Sequence, residues 1–114
     1  MASLGYALPV LAGKTEQRKH FSQEIAGPRR SEFEASRKRF GRTRHASYLQ
    51  QTPQGELVIV YMDAQDIRRM LEGLGTSQEP FDVWVREQTK EIHGIDLSQS
   101  QSLPEAIIDW RAAD

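Results

Sequence analysis

The chain has 114 residues, 15 Lys/Arg against 16 Asp/Glu, and no cysteine. That length leaves room for one domain, 1–114, able to bury a core without staples. The missing cysteine excludes disulfides, thiolate zinc sites and cysteine nucleophiles, and fits a reducing, cytoplasmic setting.

Tyr6 to Ala12 is apolar throughout. It is too short to span a bilayer, so it reads as a strand covered on both faces, with no membrane partner expected. Pro9 removes a ladder donor, which conflicts with a central position. Gly13-Lys14-Thr15 then turns the chain into a helix with Thr15 as the expected N-cap and Phe21 and Ile25 on its buried stripe. Gly27-Pro28 interrupts the pattern, giving either a sharp kink or two consecutive helices. The second carries Phe33, Arg37 and Phe40 at helical spacing and stops at Gly41.

Thr43 to Gln51 is a polar strand, with Arg44, Ala46, Tyr48 and Gln50 on one face and His45, Ser47, Leu49 and Gln51 on the other. Thr52-Pro-Gln-Gly55 closes a hairpin onto Glu56 to Met62, apolar on both faces. N-cap candidates between Asp63 and Asp66 precede Ile67, Met70, Leu71 and Leu74, which have the i, i+3, i+4, i+7 spacing of an amphipathic helix. Gly73 and Gly75 are expected to end it. A further helix begins near Pro80, shares Phe81, Trp84, Val85, Gln88 and Ile92 on one face, and closes at Gly94. Ser98 to Ser102 reads as a loop, leaving Ala106 to Trp110 as the remaining strand candidate.

Strand, helix, strand, strand, helix, strand is the split βαβ order of a ferredoxin-like α+β fold, βαββαβ, with the first and third strands central in a four-stranded antiparallel sheet. Helices cover one face of such a sheet. The other would leave apolar side chains in water, each forfeiting about 1.5 to 3 kcal/mol of burial. A homodimer packed sheet to sheet is the expected cover.

Leu8-Pro-Val-Leu-Ala-Gly-Lys-Thr15, Ala26 to Arg37, Tyr48 to Gly55, Pro80-Phe-Asp-Val-Trp84 and Glu91-Ile-His-Gly-Ile-Asp96 together resemble an uncharacterised bacterial family of the dimeric α+β barrel superfamily. The resemblance implies a dimer whose sheets enclose a barrel-like interior. It implies little about chemistry, since that superfamily holds monooxygenases, isomerases, haem enzymes and proteins without known activity.

Gly13-Lys14-Thr15 is not a phosphate loop, because the glycine required five residues earlier is Leu8. His20, His45 and His93 have no paired metal-ligand spacing, and His93 before Gly94 suits a helix C-terminus. With no dinucleotide fingerprint and no nucleophile elbow, no cofactor is implied.

The leading expectation is a homodimer with a small-molecule cavity inside it. The enzyme alternative is a cofactor-independent monooxygenase or isomerase acting on a small hydrophobic molecule. His45 would be the base, Arg44 and Tyr48 would hold substrate, Tyr61 and Trp84 would line the pocket, and Asp63 would supply a carboxylate. Residues 1–55 carry net +6 and residues 56–114 net −7, and the basic stretch from Arg29 to Arg44 offers nucleic-acid binding as a third reading. That reading is disfavoured because Glu32 and Glu34 interrupt the charges and no aromatic stacking motif accompanies them.

Overall fold

The computed structural model describes residues 2–113. In chain order they form β1 (Ala2–Pro9), α1 (Thr15–Ala26), α2 (Arg30–Arg39), β2 (Arg42–Thr52), β3 (Gly55–Ala64), α3 (Ile67–Thr76) and α4 (Pro80–His93). The sheet is antiparallel and three-stranded in the order β1-β3-β2. This corrects the expected four-stranded ferredoxin-like βαββαβ sheet: β3 alone is central, β1 lies at an edge, and no strand forms at Ala106 to Trp110.

The missing strand has a physical reason. Ala106, Ile108 and Trp110 have the period-two spacing of a strand, but Ile107, Ile108 and Trp110 are 91%, 82% and 78% exposed, so the segment buries no apolar face that would hold it against the sheet. The outward edge of β1 is partly taken by α4: His93 Nδ1 donates to Pro9 O at 2.8 Å, and Leu11 N donates to Ile92 O at 2.9 Å. The edge position also removes the conflict at Pro9. Val10 N donates inward to Glu56 O, so the neighbouring proline nitrogen faces away from β3 and costs the ladder nothing.

Register fixes the two faces of the sheet. Leu4, Tyr6 and Leu8 pair with Met62, Val60 and Val58, which pair in turn with His45, Ser47 and Leu49, and this face turns toward the helices. The opposite face carries Ala7, Ile59 and Tyr48 in one row and Ser3, Asp63 and Arg44 in another. One irregularity matters: two residues, Thr43 and Arg44, separate Arg42 from His45, whereas only Asp63 separates their partners Ala64 and Met62. The bulge moves Arg42 onto the helix-facing side, which simple alternation with Arg44 would deny it.

The helices follow from sequence with adjustments. Gly27-Pro28 yields two helices rather than one bent helix. Thr15 is the first helical residue rather than the N-cap, and its hydroxyl donates to Glu56 Oε1 at 2.9 Å. Asp66 caps α3 by accepting from Arg69 N at 3.1 Å, and Met70 and Leu74 are buried as their spacing predicts. Gly73 and Gly75 lie inside α3 instead of ending it. They are needed for close approach: a Cβ would lie 2.6 Å from the Phe40 ring at position 73 and 2.7 Å from Leu97 O at position 75. Gly94, at φ 71°, terminates α4 in the left-handed conformation.

Two apolar clusters result. Leu4, Val58, Val60, Met62, Ala64 and Met70 join the sheet to α3, and Phe21, Leu74, Phe81, Val85 and Ile92 join the helices to each other. Asp82 of α4, fully buried, is a polar pin within the helical layer. It accepts from Ser36 Oγ at 2.5 Å, Ser77 Oγ at 2.6 Å and Arg39 Nη2 at 2.7 Å, tying α2 and the α3–α4 connection to α4. No helix among the described residues is long and apolar enough to cross a membrane.

Candidate functional site

The helix-facing side of the sheet does not close completely over the helices. Between them lies a cavity of about 60 Å³ whose wall includes Tyr6 of β1, Arg18 and Phe21 of α1, Phe33 and Arg37 of α2, and Arg42 and His45 of β2. By this measure a single water needs roughly 10–15 Å³, so the space takes a few waters or one small oxyanion.

Three elements each deliver one arginine. Arg18 occurs three residues before Phe21 and seven before Ile25, so it shares their inward stripe. Arg37 lies four residues after Phe33 of α2 and three before Phe40, the residue that caps its C-terminus. Arg42 is brought in by the β2 bulge. They are 8%, 7% and 8% exposed, and no carboxylate pairs with any of them among the described residues. Arg18 lies over the Phe21 ring at 5.1 Å and Arg37 over Phe33 at 5.0 Å. Ring faces offset part of the cost of burying a guanidinium but supply no acceptor. Arg42 donates from Nη1 to His45 Nδ1 at 2.6 Å and from Nη2 to Met70 Sδ at 2.9 Å. The Nε atoms of Arg37 and Arg42 are buried with no hydrogen-bond partner among the described residues.

The electrostatics of the cavity are those of uncompensated positive charge. Burial, with the charge of Arg42 beside it, pushes Arg37 down to about 9, against an opposing pull from Asp82. Burial lowers Arg42 to about 10 and also lowers Arg18. All three remain cations at neutral pH. Burial likewise holds the Tyr6 phenol above its ordinary range, although the charges of Arg42, Arg37 and Arg18 pull the other way.

His45 is pushed down to about 3, first by burial and then by Arg42, Arg37 and Arg18. A guanidinium has only donors, so His45 Nδ1 must accept and the ring proton belongs to Nε2, 3.0 Å from Ser47 Oγ. Ser47 and His45 thus have the spacing of a nucleophile and its base, but the third position holds an arginine where a triad has an acid. The imidazole already carries its proton on the side of the hydroxyl, so it is arranged to donate rather than to withdraw a proton from Ser47. The arrangement suits binding.

The residues singled out from sequence fall in three places. His45 lines the cavity. Arg44, Tyr48 and Tyr61 share the opposite, helix-free face by register, where Arg44 lies 5.4 Å over the Tyr61 ring and Tyr61 Oη donates to Asp63 Oδ1 at 2.7 Å, while Tyr48 also borders an open hollow beside α1. Trp84 packs in the helical layer, 5.1 Å from Phe21 and 4.1 Å from the Arg29 guanidinium. These groups do not converge on one pocket. His93, expected at a helix end as a cation, is instead buried and held with a lowered pKa by burial, donating to Pro9 O.

Within the basic stretch, Arg29 pairs with Glu32, Arg30 with Glu34 and Arg39 with Asp82, while Arg37 and Arg42 face inward. The cavity residues that sequence reading did not assign are Tyr6, Arg18, Arg37 and Arg42. The usable signal was a charged residue at a stripe position otherwise held by phenylalanine.

Comparison with protein-family models, curated proteins and solved structures finds no match to this chain.

Proposed function

We propose that the chain binds a small anion-bearing molecule in the cavity between sheet and helices. The observation that supports this is the set of three buried guanidiniums from three elements with no carboxylate among them and two unpartnered Nε–H groups. Buried charges are ordinarily paired, and an anion is the partner this set lacks. Tyr6 and His45 add a neutral phenol and a neutral imidazole, which can hydrogen-bond a ligand without adding charge.

The test is thermal unfolding in chloride at constant ionic strength, with inorganic phosphate or sulfate replacing part of it. A ligand at a hundred times its Kd stabilises the fold by about 2.7 kcal/mol. Stabilisation should saturate with concentration and vanish in Arg42→Met. Equal responses of wild type and Arg42→Met contradict the proposal.

A second reading concerns the helix-free face of the sheet and a homodimer. Leu57, Ile59 and Tyr61 form its apolar centre, and Arg44 and Asp63 place opposite charges on the same face, so two copies related by a twofold axis are complementary. Sedimentation of the wild type against Ile59→Asp tests it: a dimer that becomes a monomer supports it, and a wild-type monomer at tens of micromolar overturns it.

A further inference from the structure

Beyond the arginine cavity lies a second, open hollow between α1 and the outer half of β2, with a volume of 360 Å³ against the cavity's 60 Å³. Its floor is Val58, one wall is Ser47 and Leu49, and the other is Ser22 and Arg18. Most of the surface it offers is apolar. Arg18 is the wall common to the groove and the cavity. A polar chain also connects them, since Ser47 in the groove is within 3.0 Å of His45 Nε2, and Arg42 donates to His45 Nδ1.

The groove therefore adjoins, across the Arg18 side chain, a cationic chamber too small for more than a head group, and its own surface is mostly apolar although Lys19 and Gln23 also line it. Resting on the anion-binding reading above, we propose that the ligand is an amphipathic organic anion. Its oxyanion head lies among Arg18, Arg37 and Arg42, and its apolar chain or ring lies along the α1–β2 groove. Arg18 contributes twice, its guanidinium to the head and its methylene stem to the body.

Titration calorimetry with a homologous series tests this. Acetate, butanoate, hexanoate and octanoate are compared at constant ionic strength and below any micelle concentration, with inorganic phosphate as the head-only probe. Affinity should rise along the series by up to about fourfold per methylene. Ser22→Trp, which fills the groove, and Leu49→Gln, which makes its wall polar, should flatten that rise while phosphate affinity stays within about twofold of wild type, which also shows that the variants fold. Arg42→Met should lose phosphate and carboxylates alike.

If phosphate binds and the carboxylate series is flat, the groove assignment falls and the anion site stands. A steep series left unchanged by both groove variants also overturns it, because the chain then binds elsewhere, such as on the exposed Ile107, Ile108 and Trp110. If neither phosphate nor any carboxylate binds, both assignments fall together.

Discussion

Replacing Arg37 by Met should make the ligand-free protein more stable. Arg37 is 7% exposed, forms no ion pair with a carboxylate among the described residues and lies among other guanidiniums, so its charge opposes folding. Its displacement from the ordinary guanidinium range down to about 9 corresponds to about 4–5 kcal/mol of unfavourable environment as an upper bound. Against this stand the contact with Phe33 at 5.0 Å, worth about 1–2 kcal/mol when desolvated, and the attraction of Asp82. Methionine keeps most of the volume and adapts to the cavity wall. The net expectation is a gain of about 2 kcal/mol, within the range found when buried charges are replaced by apolar side chains. At a urea m-value near 2 kcal/mol/M this moves the midpoint up by roughly 1 M in oxyanion-free buffer. The same variant should lose the stabilisation by phosphate that wild type shows. A midpoint lowered by half a molar or more would refute the reasoning, because it would mean that the guanidinium already has a stabilising partner.

Stability should also depend on pH through His45. Its folded pKa of about 3 lies below the unfolded 6.5, so between those values the unfolded chain holds a proton that the folded chain does not. Stability therefore falls as pH drops from 6.5, by up to about 1.4 kcal/mol per pH unit from His45, and His45→Gln should make urea midpoints between pH 6.5 and 5 less steep, leaving the smaller slope that buried His93 contributes with the same sign. Asp82→Ala should cost about 3 kcal/mol by urea unfolding, since it strands the fully buried Ser36 hydroxyl and removes the acceptor of Arg39 and Ser77. Gly75→Ala should destabilise by about 1–3 kcal/mol despite its better helix propensity, because the new Cβ meets a backbone oxygen at 2.7 Å that cannot swing away. An unchanged or raised melting temperature for Gly75→Ala would show that α3 and the Leu97 segment can separate freely.

The local elements were readable wherever one periodicity dominated. Ile67, Met70, Leu71 and Leu74 announced α3, and the alternation from Thr43 to Gln51 separated Arg44 from His45 correctly. Topology was less legible, because Ala106 to Trp110 has both the composition and the period-two spacing of a strand, and its exposure shows that a local pattern alone was not enough. The site was the hardest part. Arg42 changes face only because of a one-residue bulge, which no pattern of period two contains. Arg18 and Arg37 occupy inward helical positions, where a long cationic side chain on a short amphipathic helix more often reaches out to solvent. Here each guanidinium stays inside against a phenylalanine ring.

The most direct measurement of the central claim is the side-chain Nε–H spectrum of the arginines in ¹⁵N-labelled protein, assigned with Arg37→Met and Arg42→Met and titrated with phosphate and hexanoate. Two buried Nε–H groups without acceptors should give protected signals that shift saturably as an anion arrives, at matching concentrations for both. Signals that stay in place through the titration, or that exchange with water as fast as those of exposed arginines, would contradict an anion site built from Arg37 and Arg42.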